Sequence, residues 1–131
     1  MSHGIVQLYA GLLGLLFVVL SVRTLRLRRT LRVAVGDGGN TVMLRAMRVH
    51  ANFAEYVPLC LVLLYSLQTQ GAGVLFLHTL GLGLVIGRVS HAFGVSREPE
   101  NYRFRVVGMA LTLGVLIAAS VSLLVSASRA N

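Results

Sequence analysis

Three stretches of this chain carry no charged residue at all: residues 4–22, 56–87 and 106–128. A hydrocarbon core takes about 20 apolar residues per helical crossing, so the first and last stretches each supply one. The middle stretch is too long for a single crossing. It is interrupted at Gln68-Thr-Gln-Gly-Ala-Gly73, a polar, glycine-rich turn signal, and so supplies two. The pattern predicts an all-α, four-transmembrane-helix bundle, one domain over residues 1–131, with helices at about 5–32, 41–67, 74–93 and 102–126.

The breaks between these helices have their own chemistry. Residues 33–40 hold Gly36, Asp37, Gly38, Gly39 and Asn40, residue types that favour positive φ and turns. A phosphate-cradling loop would need P-loop spacing with a Lys-Ser/Thr pair, and neither is present. Pro58 falls inside the second helix and is expected to bend it. Gly83 and Gly87 form a small-x-x-x-small pair, read as a helix-packing device. His78 is read as structural, because it lies near the uncharged turn.

Composition agrees with a membrane protein. The 131 residues are 56% hydrophobic and only 12% charged, against about 25% for a soluble domain, and the mean hydropathy is +0.79. The first segment has no Lys or Arg ahead of it, shows no small-residue cleavage site and is followed by arginines acting as stop-transfer, so it is expected to stay as a span and not be removed as a signal peptide. The single cysteine, Cys60, cannot form an intramolecular disulfide and is read as a small apolar core residue. The histidines are isolated, and no metal site is expected.

All twelve basic residues are arginine. Arg23, Arg26, Arg28, Arg29, Arg32, Arg45 and Arg48 fall between the first and second spans. Arg88, Arg97, Arg103 and Arg105 surround the connection between the third and fourth. The turn at 68–73 has no charge. Arginine excess marks the cytoplasmic side, so both arginine-rich connections are expected to face the cytoplasm and both termini the opposite side. The net charge of +8 does not indicate nucleic acid, since these arginines flank hydrophobic spans; most of those at 23–32 are read as topology determinants and contacts to anionic lipid.

Candidate chemistry concentrates where the second helix enters hydrocarbon. In Arg48-Val-His-Ala-Asn52-Phe-Ala-Glu55-Tyr56-Val-Pro58, with Arg45 one turn earlier, a helix advancing about 100° per residue brings Arg45, Arg48, Asn52 and Glu55 into one arc roughly 80° wide. Ionisable groups at that depth are costly unless paired or facing a polar cavity. Arg28 and Arg29, Arg88 and His91, and Tyr102, Arg103 and Arg105 reach the same depth from the other helices. A cationic site with one internal carboxylate suits a small polyanion that also bears an ammonium group. Glutathione has two carboxylates for the arginines and an amine for Glu55. The structural alternative is that Glu55 only pairs with Arg48 or Arg45.

The pattern Arg-x-x-x-Asn-x-x-Glu-Tyr-x-Pro resembles the signature of the membrane-associated proteins in eicosanoid and glutathione metabolism, the MAPEG family. The likeness covers four spans, Arg28-Arg29 closing the first, and an arginine opening the fourth. The second helix is most similar to the leukotriene-synthesising members, and the Gly36-Asp37-Gly38-Gly39 loop to small bacterial ones. The resemblance implies a homotrimer that binds glutathione between subunits near the cytosolic face. Residue by residue, it implies glutathione contacts at Arg48, Asn52, Glu55 and Tyr56, paired arginines at Arg28 and Arg29, an arginine late in helix three at Arg88, and a thiol-activating arginine at Arg105. Where the leukotriene-synthesising members have two tyrosines, this chain has His91 and Val95, so eicosanoid chemistry is not expected; His91 remains a candidate ligand contact.

The reaction these readings imply is conjugation of glutathione to a hydrophobic electrophile arriving from the bilayer, with peroxidase activity as an open companion. Arg103 is the alternative to Arg105, because their rotation on the helix is not fixed by sequence. Two other classes fit the pattern: a non-catalytic lipid- or ligand-binding scaffold of the same fold, and a small multidrug transporter. The transporter would need an acid in the middle of a span, whereas Glu55 lies at a span's edge among arginines.

Overall fold

The computed structural model describes residues 4–130. Its elements are four helices, α1 (Ile5–Leu31), α2 (Thr41–Thr69), α3 (Val74–Ser96) and α4 (Tyr102–Ala130). Three of them, α1, α3 and α4, are long and apolar enough to cross a membrane. The sequence reading gave α2 a crossing as well, but although its 29 residues are long enough, it is not apolar enough to qualify. Its first half carries Arg45, Arg48, Asn52 and Glu55, and only the half from Tyr56 to Leu67 is continuously apolar. Pro58 sits near the junction of the two halves.

Local chemistry sets the helix ends. Arg32 adopts φ 55°, ψ 39°, and its backbone N–H donates to the carbonyls of Arg28 and Arg29, so α1 stops one residue earlier than its pattern suggested. Asn40 caps α2, its side chain accepting from Met43 N at 3.0 Å. Between them Gly36, Gly38 and Gly39 all have positive φ, as the turn reading required. Helix α3 runs three residues beyond its predicted end. Gly94 does not break it there, because the glycine is used for contact with α4.

That contact is the most extensive in the fold, followed by α1 with α2. A Cβ at Gly94 would lie 2.5 Å from Arg105 N, and one at Gly108 would lie 2.5 Å from His91 N and 2.6 Å from Gly87 O. Backbones therefore meet across Gly87, Gly94 and Gly108. Gly83, the other half of the predicted pair, makes only ordinary contact with Val115. The core runs along the shared axis through Leu13, Phe53, Cys60, Leu64, Leu77, Leu84, Val115 and Ala119. Among the described residues the backbones of α1 and α4 do not approach each other closely, and both leave large apolar side chains exposed, including Leu15, Val19, Ile117 and Leu124.

The end of the bundle with the uncharged turn is closed by neutral hydrogen bonds. Gln68 accepts from Val6 N at 2.9 Å and donates to Gln7 Oε1 at 3.1 Å. Tyr9 OH pairs with His78 Nδ1 at 2.9 Å, giving His78 the structural role read from its position.

Candidate active site

At the arginine-rich end, α2, α3 and the start of α4 enclose a cavity of about 300 Å³. Arg45, Arg48, Asn52, His91, Glu100 and Arg105 supply its polar lining, with Thr41, Leu44 and Val95 completing the wall. Helical spacing explains the α2 contribution: positions 45, 48 and 52 follow one face. His91 and Val95 do the same on α3. Arg105 enters from the first turn of α4, held against α3 by the glycine contact at Gly94.

The cations outnumber the acids here. Arg45 Nε lies 3.3 Å from Glu98 Oε1, and its Nη1 lies 3.4 Å from Glu100 Oε2. Arg105 Nη1 lies 2.8 Å from Glu100 Oε1, so Glu100 bridges two arginines. Burial alone would raise the Glu100 carboxyl; hydrogen bonds from Arg105 and Arg45, with their charges, outweigh it and hold the group below its usual value. Arg45 Nη1 also donates to the Val95 carbonyl at 3.2 Å. Arg48 has no hydrogen bond or ion pair among the described residues.

Arg88 lies beneath this cavity and is 2% exposed. Its Nη1 donates to Asn52 Oδ1 at 2.9 Å. The predicted site residues thus divide. Arg48, Asn52, His91 and Arg105 line one cavity, and Arg88 backs it through Asn52. Glu55 and Tyr56 do not line it: Glu55 is exposed on α2 and Tyr56 is half-buried. Glu55 does not neutralise Arg45 or Arg48: among the described residues it makes no ion pair, and Arg45 pairs instead with Glu98 and Glu100, acids more than 50 residues further along. Arg28 is also outside the cavity. Its Nη1 donates to the carbonyls of Val33, Ala34 and Gly36 at 3.5, 3.3 and 3.0 Å, which ties down the loop after α1. Arg29 is exposed on the last turn of α1. Of the two candidates at the start of α4, Arg105 lines this cavity and Arg103 lines a separate surface hollow around 97–103.

Glu100 had no assigned role from sequence, and Arg45 was placed on the polar face of α2 without a ligand contact of its own. A readable signal existed, since two of the chain's four acids, Glu98 and Glu100, stand in an otherwise arginine-rich connection.

The family model that matches this chain is that of the MAPEG family, and it covers residues 6–125. The chain belongs to the MAPEG family. Among its curated relatives is "Inner membrane protein YecN" of Escherichia coli strain K12, 37% identical over 110 residues, which are 84% of this chain and 82% of that protein. The protein of the same name from Escherichia coli O6:H1 strain CFT073 matches to the same extent. MAPEG membership and three bilayer-length apolar helices make this an integral membrane protein.

Proposed function

We propose that this MAPEG-family protein is a membrane-bound glutathione transferase that conjugates glutathione to hydrophobic electrophiles. The observation that carries the reading is the cationic cavity at the polar ends of apolar helices, where Arg45, Arg48, Asn52 and Arg105 converge. Arginine forks suit the two carboxylates of the peptide. A free thiol of pKa about 8.5 is only a few per cent ionised at pH 7, and the thiolate is the nucleophile. Lowering that pKa by about two units takes ~3 kcal/mol, which one arginine about 4 Å from the sulfur at an effective dielectric near 20 supplies. Arg105 is assigned that role, because it reaches the cavity and Arg103 does not.

In the proposed assembly, α2 completes a fourth crossing and three copies form a homotrimer, so that Arg29, Glu55 and Tyr56, left outside the cavity by one chain, serve a site between subunits. Glu55 then receives the amine of glutathione. Native mass spectrometry from detergent should show trimers; monomers or dimers alone would contradict this. The relatives' name and the arginine asymmetry support an inner-membrane location with both termini away from the cytoplasm. A reporter fused after residue 131 that signals from the cytoplasm would reverse that orientation.

One observation favours a second reading, a non-catalytic ligand-binding scaffold. Arg105 is already engaged by Glu100 at 2.8 Å, so a thiolate must compete for it. A glutathione-binding and conjugation assay on the purified protein, with a panel of electrophiles, separates the two. Binding with turnover supports the transferase; binding without turnover on any electrophile supports the scaffold; no glutathione binding at all removes the transferase and leaves only a scaffold for lipid or another ligand.

A further inference from the structure

Arg88 is a fully buried cation without a counterion: among the described residues no carboxylate pairs with it. Its Nη1 holds Asn52 Oδ1 at 2.9 Å, its Nη2 reaches Met109 Sδ at 3.9 Å, and its Nε has no partner. Burying a charge under such poor compensation is costly, and helix packing gains nothing from it that a methionine would not supply. Arg88 does not line the cavity, but Asn52 does.

The geometry of this one bond fixes more than itself. A guanidinium can only donate, so the amide atom facing Arg88 must be the oxygen. The opposite amide atom, Nδ2, is then the one free to serve the cavity, and it makes no hydrogen bond among the described residues. We infer that Arg88 is a positioning residue: it locks the Asn52 amide so that the Nδ2 donors face the cavity and grip an oxygen of the ligand, a carboxylate or peptide carbonyl of glutathione. This rests on the glutathione reading above. The buried charge acts twice, since a cation at the amide oxygen polarises the N–H groups and strengthens what they donate. Without it the amide could present either its oxygen or its nitrogen, and the oxygen repels an anion. Arginine suits the role because its planar fork is directional, where a lysine is a point charge.

Three variants test the inference in the full-length protein. Asn52→Asp is nearly isosteric and hands Arg88 a carboxylate, so a purely structural link between α2 and α3 would be kept and glutathione affinity would not change. The positioning role requires the opposite: the thermal midpoint holds or rises while glutathione affinity falls about tenfold or more, the worth of one charge-assisted hydrogen bond. Arg88→Met should weaken glutathione binding without changing turnover at saturation, and Arg88→Lys should recover part of the loss. The direct readout is the orientation of the Asn52 side-chain amide, read from residual dipolar couplings of its Nδ2–H bonds: a single orientation in the wild type, averaged over χ2 in Arg88→Met. If the wild type binds glutathione and all three variants bind it equally well, the inference is overturned and the glutathione reading stands. If the wild type binds none, that reading falls and the couplings decide: averaging in Arg88→Met sustains the positioning role, and unchanged couplings overturn it.

Discussion

The two ends of the bundle treat their polar groups in opposite ways. At the end with the uncharged turn, Gln68 is used on both sides, by Val6 N and Gln7, and Tyr9 is spent on His78. No formal charge takes part. At the other end, Glu100 satisfies two arginines, but among the described residues the half-buried Asn52 leaves its nitrogen without a bond and the buried Arg88 leaves its Nε without a partner, while Arg48 and Glu55 stand exposed and unpaired. A buried or half-buried polar group left unbonded costs stability. The first end has minimised that cost and reads as architecture. The second carries it, as sites do when the missing partner is a ligand or another subunit.

The largest effect should come from Arg105→Ala. Glutathione should still bind, through Arg48 and Asn52, but the bound thiol should lose about ten times its ionised fraction for each pKa unit given up. Turnover at neutral pH falls accordingly and recovers at higher pH. Thiolate absorbance of bound glutathione, titrated in both proteins, checks it; an unchanged midpoint would move the role to Arg103.

A stability effect comes next, at Gly108. A methyl there meets the backbone of His91 and Gly87, which cannot swing aside. Gly108→Ala should cost about 1–3 kcal/mol, toward the upper figure, measured as a lowered unfolding midpoint in detergent. Because the same contact aligns His91 and Arg105, glutathione affinity should fall with it. Loss of one without the other would separate scaffold from site.

The comparison of ends is sharpened by exchanging the assays. Gln68→Leu strands Val6 N–H and should lower stability by about 1 kcal/mol with glutathione affinity unchanged. Arg48→Gln should weaken glutathione binding and leave stability alone. The reverse result for either variant would break the distinction.

The smallest effect concerns acid. Glu100 has a folded pKa below its unfolded one, about 4.3 for a free glutamate. Its contribution to stability is therefore complete above that value and is lost as the pH drops through the lower, folded one. Glu100→Gln should flatten that acid limb of the stability profile. Near neutral pH the same variant frees Arg45 and Arg105 and should tighten glutathione binding modestly; weaker binding would mean that Glu100 holds those arginines in place for the ligand.

The helices were legible because charge-free runs and a glycine turn are local signals; their ends were less so, α1 stopping one residue short at Arg32 while α2, α3 and α4 ran two, three and four residues past the expected ends. The α2 face was legible for the same reason: 45, 48 and 52 are related by helical period alone. What lay beyond reading was any partner distant in sequence. Glu100 meets Arg45 across more than 50 residues, and nothing in the spacing of either predicts it. Arg28 carries its arginine for a different purpose from Arg48, and only the carbonyls of the loop after α1 reveal which. Arg103 and Arg105 required the rotation of α4, which the packing at Gly94 and Gly108 sets.

The composite nature of α2 has a consequence for concentration. Its 29 residues make a rod about 43 Å long, against a hydrocarbon thickness of about 30 Å. In the proposed assembly, where α2 completes a fourth crossing, one continuous element would stand in two solvents, oil along its apolar half and the headgroup layer along its charged half. A greasy reactant gains about 0.8 kcal/mol per methylene on leaving water, so it accumulates in the first, while a polyanionic peptide stays dissolved beside the second. The cavity would then sit where the two meet. A transferase built this way would draw each reactant from the phase that stores it, and neither would have to be extracted into the other.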